Sequence, residues 1–287
     1  MSEKTGSYHV VDLTPARRLM INMLSLSEPK QSMYGLLEVD VTMARRFIAE
    51  HKERTGETLS FTGFLTLCLA RAVDEDKSVQ AHLKGRKQIV MFDDVDVGLM
   101  IEGKIGDKKA LMGHVVRSAN RKTYREIHEE IRAVQSKPAP ASRGLPPWFQ
   151  KAMLLPWPLS RLVKAVIRMA FRRDPMIGTT MGGTVGITAV GMFGEGHSGW
   201  GLFPLTETLG LVVGSIAVKP GVVEGRIEPR EILNLTVMFD HEIIDGAPAA
   251  RFTHRLVELI ESGYGLDEVQ ILAATDTGPA VVPPAEM

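Results

Sequence analysis

The chain is predicted to be an α/β protein, on two patterns in its 287 residues. Stretches with apolar residues three and four apart alternate with short stretches of period two, bounded by Gly and Pro. Hydrophobic residues make up 44% of the chain, enough for a sizeable core in one large domain or two small ones.

The elements follow in order. In "LTPARRLMINML", Thr14 suits an N-cap and Pro15 the first helical position. "MYGLLEVDVT" alternates like a strand, and Thr42 opens a helix over "MARRFIAEHKERTG". The run "SFTGFLTLCLARAVDEDKSV" reads as a third helix, apolar enough to be largely buried. Strands are predicted in "KQIVMF" and "VDVGLMIE", which lead through a Gly and Lys turn to "ALMGHVVRSA". "TYREIHEEIRAVQS" is an amphipathic helix with Ile127 and Ile131 four apart. Further on, strands are read in "GTVGITAV", "LGLVVGSIAV" and "ILNLTVMF", and a last helix in "APAARFTHRLVELIESG". The tail "TDTGPAVVPPAEM" is expected to be loose from about residue 275.

Lys plus Arg and Asp plus Glu both total 34, so no global field draws the chain to nucleic acid or membrane. The single Cys68 lies in an apolar run and reads as a buried structural thiol. One Cys allows no intrachain disulfide, and a reducing compartment fits. The first residues lack the long apolar core of a secretory signal, so the expectation is cytoplasmic.

Composition changes at Ser136. From there to Pro175 stand seven of the 16 prolines and two of the three tryptophans, Trp148 and Trp157. Between Ile131 and Arg173 there are nine Lys or Arg and no Asp or Glu. Within this segment "LSRLVKAVIRMAFRR" has the pattern of a cationic amphipathic helix, with Leu162, Val166 and Met169 on one side. Pro156, Pro158 and several cations interrupt the apolar segment, which speaks against a spanning helix. The first expectation is a helical elaboration packed on its own protein or a neighbouring subunit, with membrane-surface contact as the second.

The glycines of "MGGTVGITAVGMFGEGHSGWG" invite a phosphate-loop reading. None stands in a G-x-x-x-x-G-K-[ST] arrangement, and no helix follows immediately to complete a dinucleotide fingerprint.

The densest chemistry lies in "VMFDHEIIDGAPAARF", which sets Asp240, His241, Glu242 and Asp245 within six positions. A zinc site of the H-E-x-x-H kind needs one helix through all its ligands. Here a β-favouring run ends at Asp240 and Gly246 begins a new element, so a strand end and turn are expected and the metal reading is weak. A His there could take and return a proton near neutral pH if an acid held its geometry. Three solvated charges at a polar strand end are the other reading, and spacing alone does not separate the two.

The pattern Asp-His-x-x-x-Asp-Gly, then Ala and a helix, resembles the active-site segment of the dihydrolipoamide acyltransferase component of 2-oxoacid dehydrogenase complexes. More distantly it is similar to chloramphenicol acetyltransferase. "LTPARRLMINML", "LLEVDVTMARRFIAEHKERTGETLSFTGFLTLCLARAV", "DVDVGLMIE", "VVRSANRKTYREIHEEI" and "GGTVGITAVGMFG" resemble further segments of that catalytic domain, in the same order. The resemblance implies one domain over residues 1–287, with a basic helical insertion at 136–178. It implies a two-layer α/β acyltransferase fold with a mixed sheet, similar to chloramphenicol acetyltransferase. By position, His241 resembles the general base that takes a proton from the acceptor thiol. Asp245 resembles the acid that braces the site, against Arg17 or Arg18. Thr188 falls where the family has a Ser or Thr that donates to the oxyanion. The resemblance further implies coenzyme A as substrate, and a homotrimer whose His and Ser or Thr come from neighbouring subunits.

Several positions depart from the family pattern. Glu242 stands where Arg is usual, Ala189 where Asn is usual, and His114 where a small apolar residue is usual. No lipoyl domain or peripheral-subunit-binding domain is visible, so no covalent lipoyl is expected on this chain and the acceptor is expected in trans, on a lipoyl-bearing protein or as a small molecule. Three readings follow: an acyltransferase with an unusual acceptor, a catalytically silent oligomeric scaffold, and a membrane-surface or partner-docking protein.

Overall fold

The computed structural model describes residues 9–25, 30–85, 87–105, 108–136, 147–156, 158–189, 198–204 and 206–267. The predicted loose tail, Trp157 and much of the glycine-rich loop lie outside the described residues. In chain order the elements are α1 (Pro15–Leu24), β1 (Ser32–Asp40), α2 (Thr42–Thr55), α3 (Phe61–Glu75), β2 (His82–Lys84), β3 (Gln88–Val90), β4 (Val97–Ile105), β5 (Lys108–Val116) and α4 (Tyr124–Ser136). Then come α5 (Pro147–Met153), α6 (Leu159–Arg173), α7 (Pro175–Gly182), β6 (Val185–Ala189), β7 (Leu209–Val223), β8 (Arg226–Asp240) and α8 (Gly246–Glu261).

Six strands make one sheet in the order β1-β8-β7-β6-β4-β5, and β2 pairs with β3 separately. β6 runs parallel to β4 and β7, whereas the other neighbours are antiparallel, so the sheet is mixed as expected. Residues of period two on β7 and β8, from Leu209 to Val213 and from Leu233 to Phe239, face α3, α4 and α8 in one core. This helix-on-sheet arrangement is the two-layer α/β architecture. The opposite face carries Val212, Asn234, Thr236 and Met238, and the strap 198–204 is bonded across it. Thr236 Oγ1 donates to the Gly201 carbonyl at 2.9 Å, Asn234 Nδ2 to Ser198 Oγ at 2.8 Å, and Trp200 Nε1 to the Leu37 carbonyl at 2.8 Å. Position 214 must be glycine here. A Cβ would lie 2.5 Å from the Gly199 carbonyl and 2.6 Å from that of Asn234.

Local signals place most helix ends as expected. The Arg17 N–H donates to Thr14 Oγ1 at 3.3 Å, Ser60 Oγ accepts from the Gly63 N–H at 3.1 Å, and Gly56, with φ +77°, closes α2. Cys68 is buried in α3, and burial pushes its thiol pKa up.

The sequence underestimates two strands. β7 and β8 run past the apolar stretches "LGLVVGSIAV" and "ILNLTVMF" into a two-stranded arm closed by Glu224 and Gly225, both at positive φ. Pro220 and Pro229 face each other in its register. β1 reaches only Ile232, so each strand of the arm has a free edge where a missing N–H costs no ladder bond. "KQIVMF" yields only the three-residue β3, and its partner β2 has no sequence signal of its own.

The described residues of the basic segment are mostly helical, in α5, α6 and α7. Phe149 and Met153 of α5 are buried against Leu19 of α1 and Val163 and Ile167 of α6. Lys164 Nζ donates to Asn22 Oδ1 and Ser25 Oγ, both at 3.2 Å, and Arg168 to the Ser25 carbonyl at 3.2 Å. Among the described residues no helix is long and apolar enough to cross a membrane.

Candidate active site

Asp240 ends β8, and backbone hydrogen bonds hold the turn that follows. The Asp240 N–H donates to the Thr208 carbonyl at 2.9 Å, and the Ile243 and Ile244 N–H groups donate to the Asp240 carbonyl at 3.0 Å. The His241 N–H donates to the Gln31 carbonyl at 2.7 Å. The Asp240 side chain is buried, accepts from the Lys30 ammonium at 2.6 Å, and accepts from the Glu242 N–H at 3.2 Å. Of the acids that could have been solvated, this one is a buried structural partner.

The His241 backbone is therefore fixed while its side chain stays 49% exposed. Asp245 is 88% exposed, and its Oδ1 lies 3.9 Å from His241 Nδ1, beyond hydrogen-bond reach. It occupies the N-cap position of α8, where its carbonyl accepts from the Ala249 N–H at 3.1 Å, yet its carboxylate makes no cap bond. Arg17 and Arg18 are exposed on α1, and among the described residues no ion pair joins either to Asp245. The structure brings His241 and Asp245 to one turn and leaves the Asp245 carboxylate uncommitted.

Thr188 lies elsewhere. Its neighbours Val185 and Ile187 are in the core, so Thr188 faces the opposite side, in a row with Val212, Thr236 and Leu36 across β6, β7, β8 and β1. His241 is five residues beyond Thr236 and two strands away from Thr188. With a rise of about 3.4 Å per residue and a strand spacing of about 4.8 Å, the two are roughly 20 Å apart. One chain cannot bring both to a single reacting carbonyl.

The departures have visible surroundings. His114 Nε2 lies 2.7 Å from Glu130 Oε1, and Lys122 Nζ lies 2.6 Å from Glu130 Oε2, which accounts for His114 as a link from β5 to α4. Glu242 is exposed, and Ala189 is half-buried at the end of β6. Lys30 and Gln31, which hold Asp240 and His241 from 210 residues away, carry no sequence signal for that role. Lys30 also faces Glu207, whose carboxyl is pushed up by burial against the opposing pull of Thr206 and Lys30. Among the described residues no group of three or more His, Cys, Asp or Glu is arranged to hold a metal ion.

The family model for 2-oxoacid dehydrogenases acyltransferase (catalytic domain) matches residues 5–141 and 156–266. The unmatched residues 142–155 fall within the predicted insertion. The lipoamide acyltransferase component of the branched-chain alpha-keto acid dehydrogenase complex of Bacillus subtilis (strain 168) is 24% identical over 258 residues, 88% of this chain and 52% of that protein. The dihydrolipoyllysine-residue succinyltransferase component of the 2-oxoglutarate dehydrogenase complex of Bartonella vinsonii subsp. berkhoffii is 26% identical over 257 residues, 88% of this chain and 53% of that protein. The chain thus spans about half the length of these relatives. A probable dihydrolipoamide acetyltransferase from Listeria monocytogenes has the same fold, with a TM-score of 0.60 at 20% identity over 89% of this chain and 95% of that one. A truncated catalytic core of the 2-oxoacid dehydrogenase multienzyme complex from Thermoplasma acidophilum gives 0.59 at 22% identity, over 90% and 100%. With the fold, the order of segments and the His241 turn all in place, the family match over most of its length shows that this chain belongs to the 2-oxoacid dehydrogenase acyltransferase (catalytic domain) family.

Proposed function

We propose that the chain is a CoA-dependent acyltransferase, which moves an acyl group between coenzyme A and a thiol of the dihydrolipoyl type or another small acceptor supplied in trans. The observation that carries this reading is His241, half-exposed on a turn fixed by backbone bonds and a buried ion pair, in a chain of this family. His241 takes the proton of the attacking thiol as the sulfur adds to the thioester carbonyl. The tetrahedral oxyanion is met by the Thr188 hydroxyl. Collapse breaks the original C–S bond, and the proton passes from the imidazolium to the departing thiolate. Asp245, whose Oδ1 lies 3.9 Å from His241 Nδ1, favours the charged form of the imidazole.

The roughly 20 Å between Thr188 and His241 within one chain supports a site shared by two subunits. A closed cyclic trimer is the assembly proposed, with Asp245 free to pair there. The equal totals of acidic and basic residues support small-molecule or protein-borne acceptors rather than nucleic acid. The lone, buried Cys68 supports a cytoplasmic setting.

Ala189 and Glu242, which replace the usual Asn and Arg, favour a second reading as a silent scaffold of the same fold. The test is CoA release from acyl-CoA with free dihydrolipoamide, small alcohols or small amines as acceptors. Wild type should turn over, and His241→Ala should lower the rate by roughly 10²- to 10⁴-fold. No transfer to any acceptor by wild type would leave the scaffold reading.

A further inference from the structure

α6 is mounted with its apolar stripe outward. Its cations Lys164 and Arg168 point inward to Asn22 of α1 and to Ser25 just past its end, and Val163 and Ile167 fill the small core with α5. That mounting turns Leu159, Leu162, Val166 and Met169 to the outside, where all four are exposed, Leu162 at 63%. Their spacing of three, four and three residues makes one continuous ridge, about 15 Å long at 1.5 Å per residue. After Asp174 the chain enters α7, which exposes Met176 and Ile177 as well, and Trp148 of the adjoining α5 is 67% exposed. A soluble helix normally spends its apolar stripe on the core. This one is anchored by Val163, Ile167 and two cations, and presents the exposed ridge to whatever lies beyond.

The charges around the ridge select the occupant. Arg161, Arg173 and Lys151 are exposed, and no Asp or Glu occurs between Ile131 and Arg173. Pairing the ridge with the same ridge of a second copy would set cations against cations, which opposes self-association. A lipid headgroup layer deforms around such an exposed ridge and needs no preformed groove. Apolar ridge, exposed Trp and flanking cations together match a helix lying in an anionic membrane interface.

The geometry points to the α5–α6–α7 face as a peripheral docking surface for anionic lipid bilayers. The ridge sinks among the acyl chains while Arg161, Arg173 and Lys151 meet the headgroup phosphates. The docking claim itself does not depend on activity.

Co-sedimentation of the full chain tests it, with vesicles of phosphatidylcholine alone or containing about 30% phosphatidylglycerol. The protein should sediment with the anionic vesicles, not with the neutral ones, and should be released at about 0.5 M salt, where the screening length falls to a few ångströms. Leu162→Glu with Val166→Glu, both at exposed positions, should lower binding more than about tenfold with native mass and melting unchanged. Arg161→Gln and Arg173→Gln should each weaken it by about fivefold. A protein that stays in the supernatant at low salt leaves the face to a protein partner and overturns the proposal. So does a ridge variant that binds as tightly as wild type. If the glutamates break an oligomer seen by native mass spectrometry, the face is a subunit contact and the lipid assignment fails.

Discussion

Lys30 reaches Asp240 across 210 residues, and the pair sets the position of His241 without touching it. Replacing Lys30 by Met would leave a buried carboxylate without its partner. The expected loss is about 3 kcal/mol in urea unfolding, and adding Asp240→Asn should recover most of it, because the uncompensated charge is the main cost. Thr188 separates two roles of one side chain. In a strand, a β-branched residue is suited to packing alone, and Val would serve as well as Thr. If the hydroxyl donates to an oxyanion, Thr188→Val should cost about 10² to 10³ in kcat and Thr188→Ser little, with acyl-CoA binding unchanged in both. Val and wild type turning over at the same rate would withdraw the oxyanion role. The turn that holds His241 and Asp245 was legible from sequence, but their proposed roles came from the family resemblance and not from their spacing. Asp240 was not distinguishable from its solvated neighbours until its partner was seen.

Among the elements, α2, α3 and α4 are joined through one carboxylate. Glu57 accepts from Arg125 at 2.7 Å, and its two oxygens lie 3.0 Å from His51 Nε2 and 3.2 Å from His128 Nε2. His128 Nδ1 accepts the Ser60 N–H at 3.0 Å, next to the start of α3, which requires the neutral ring. Burial acts to raise the Glu57 pKa, but the bonds from Arg125 and His51 outweigh it and hold the group at about 2. A depressed carboxyl stabilises the fold above its ordinary value near 4.5, and that contribution fades as pH falls toward about 2. Burial likewise lowers the His128 pKa below its ordinary 6.5, so its contribution is complete above 6.5 and is lost as pH falls below it. Melting temperature should therefore drop in two stages on acidification. Glu57→Gln should shrink the lower stage, to which the depressed Asp40, Glu75 and Glu126 also contribute, and cost about 1–2 kcal/mol at pH 7, allowing for the group's partial exposure. An undiminished lower stage in the variant would show that the carboxylate does not couple these helices.

For the molecule as a whole, the proposed joint action of Thr188 and His241, given their separation, makes assembly part of the chemistry. His241→Ala and Thr188→Val variants should each be nearly inactive alone. Co-expressed in equal amounts, they should regain about a quarter of wild-type activity, because a quarter of interfaces in a mixed cyclic oligomer pair an intact His with an intact Thr. No regain would mean that both groups act within one subunit, against the register of the sheet, or that no shared site exists. Native mass spectrometry should give a trimer, and a monomer would remove the shared site altogether.

From the sequence alone came the α/β class, most helices and strands, the His241–Asp245 turn and the basic amphipathic helix. Each is written in spacings shorter than one element, where side-chain period reports helix or strand and capping residues report ends. The tertiary structure decided what those spacings do not encode. Period tells which side of an element is apolar, and not what covers it, so only packing revealed that α6 turns its ridge outward. The proline-containing arm exists because its partner strand lies beside it, a pairing that propensity does not describe. The Lys30–Asp240 pair and the distance from Thr188 to His241 depend on strand order and register, which arise from contacts between distant segments.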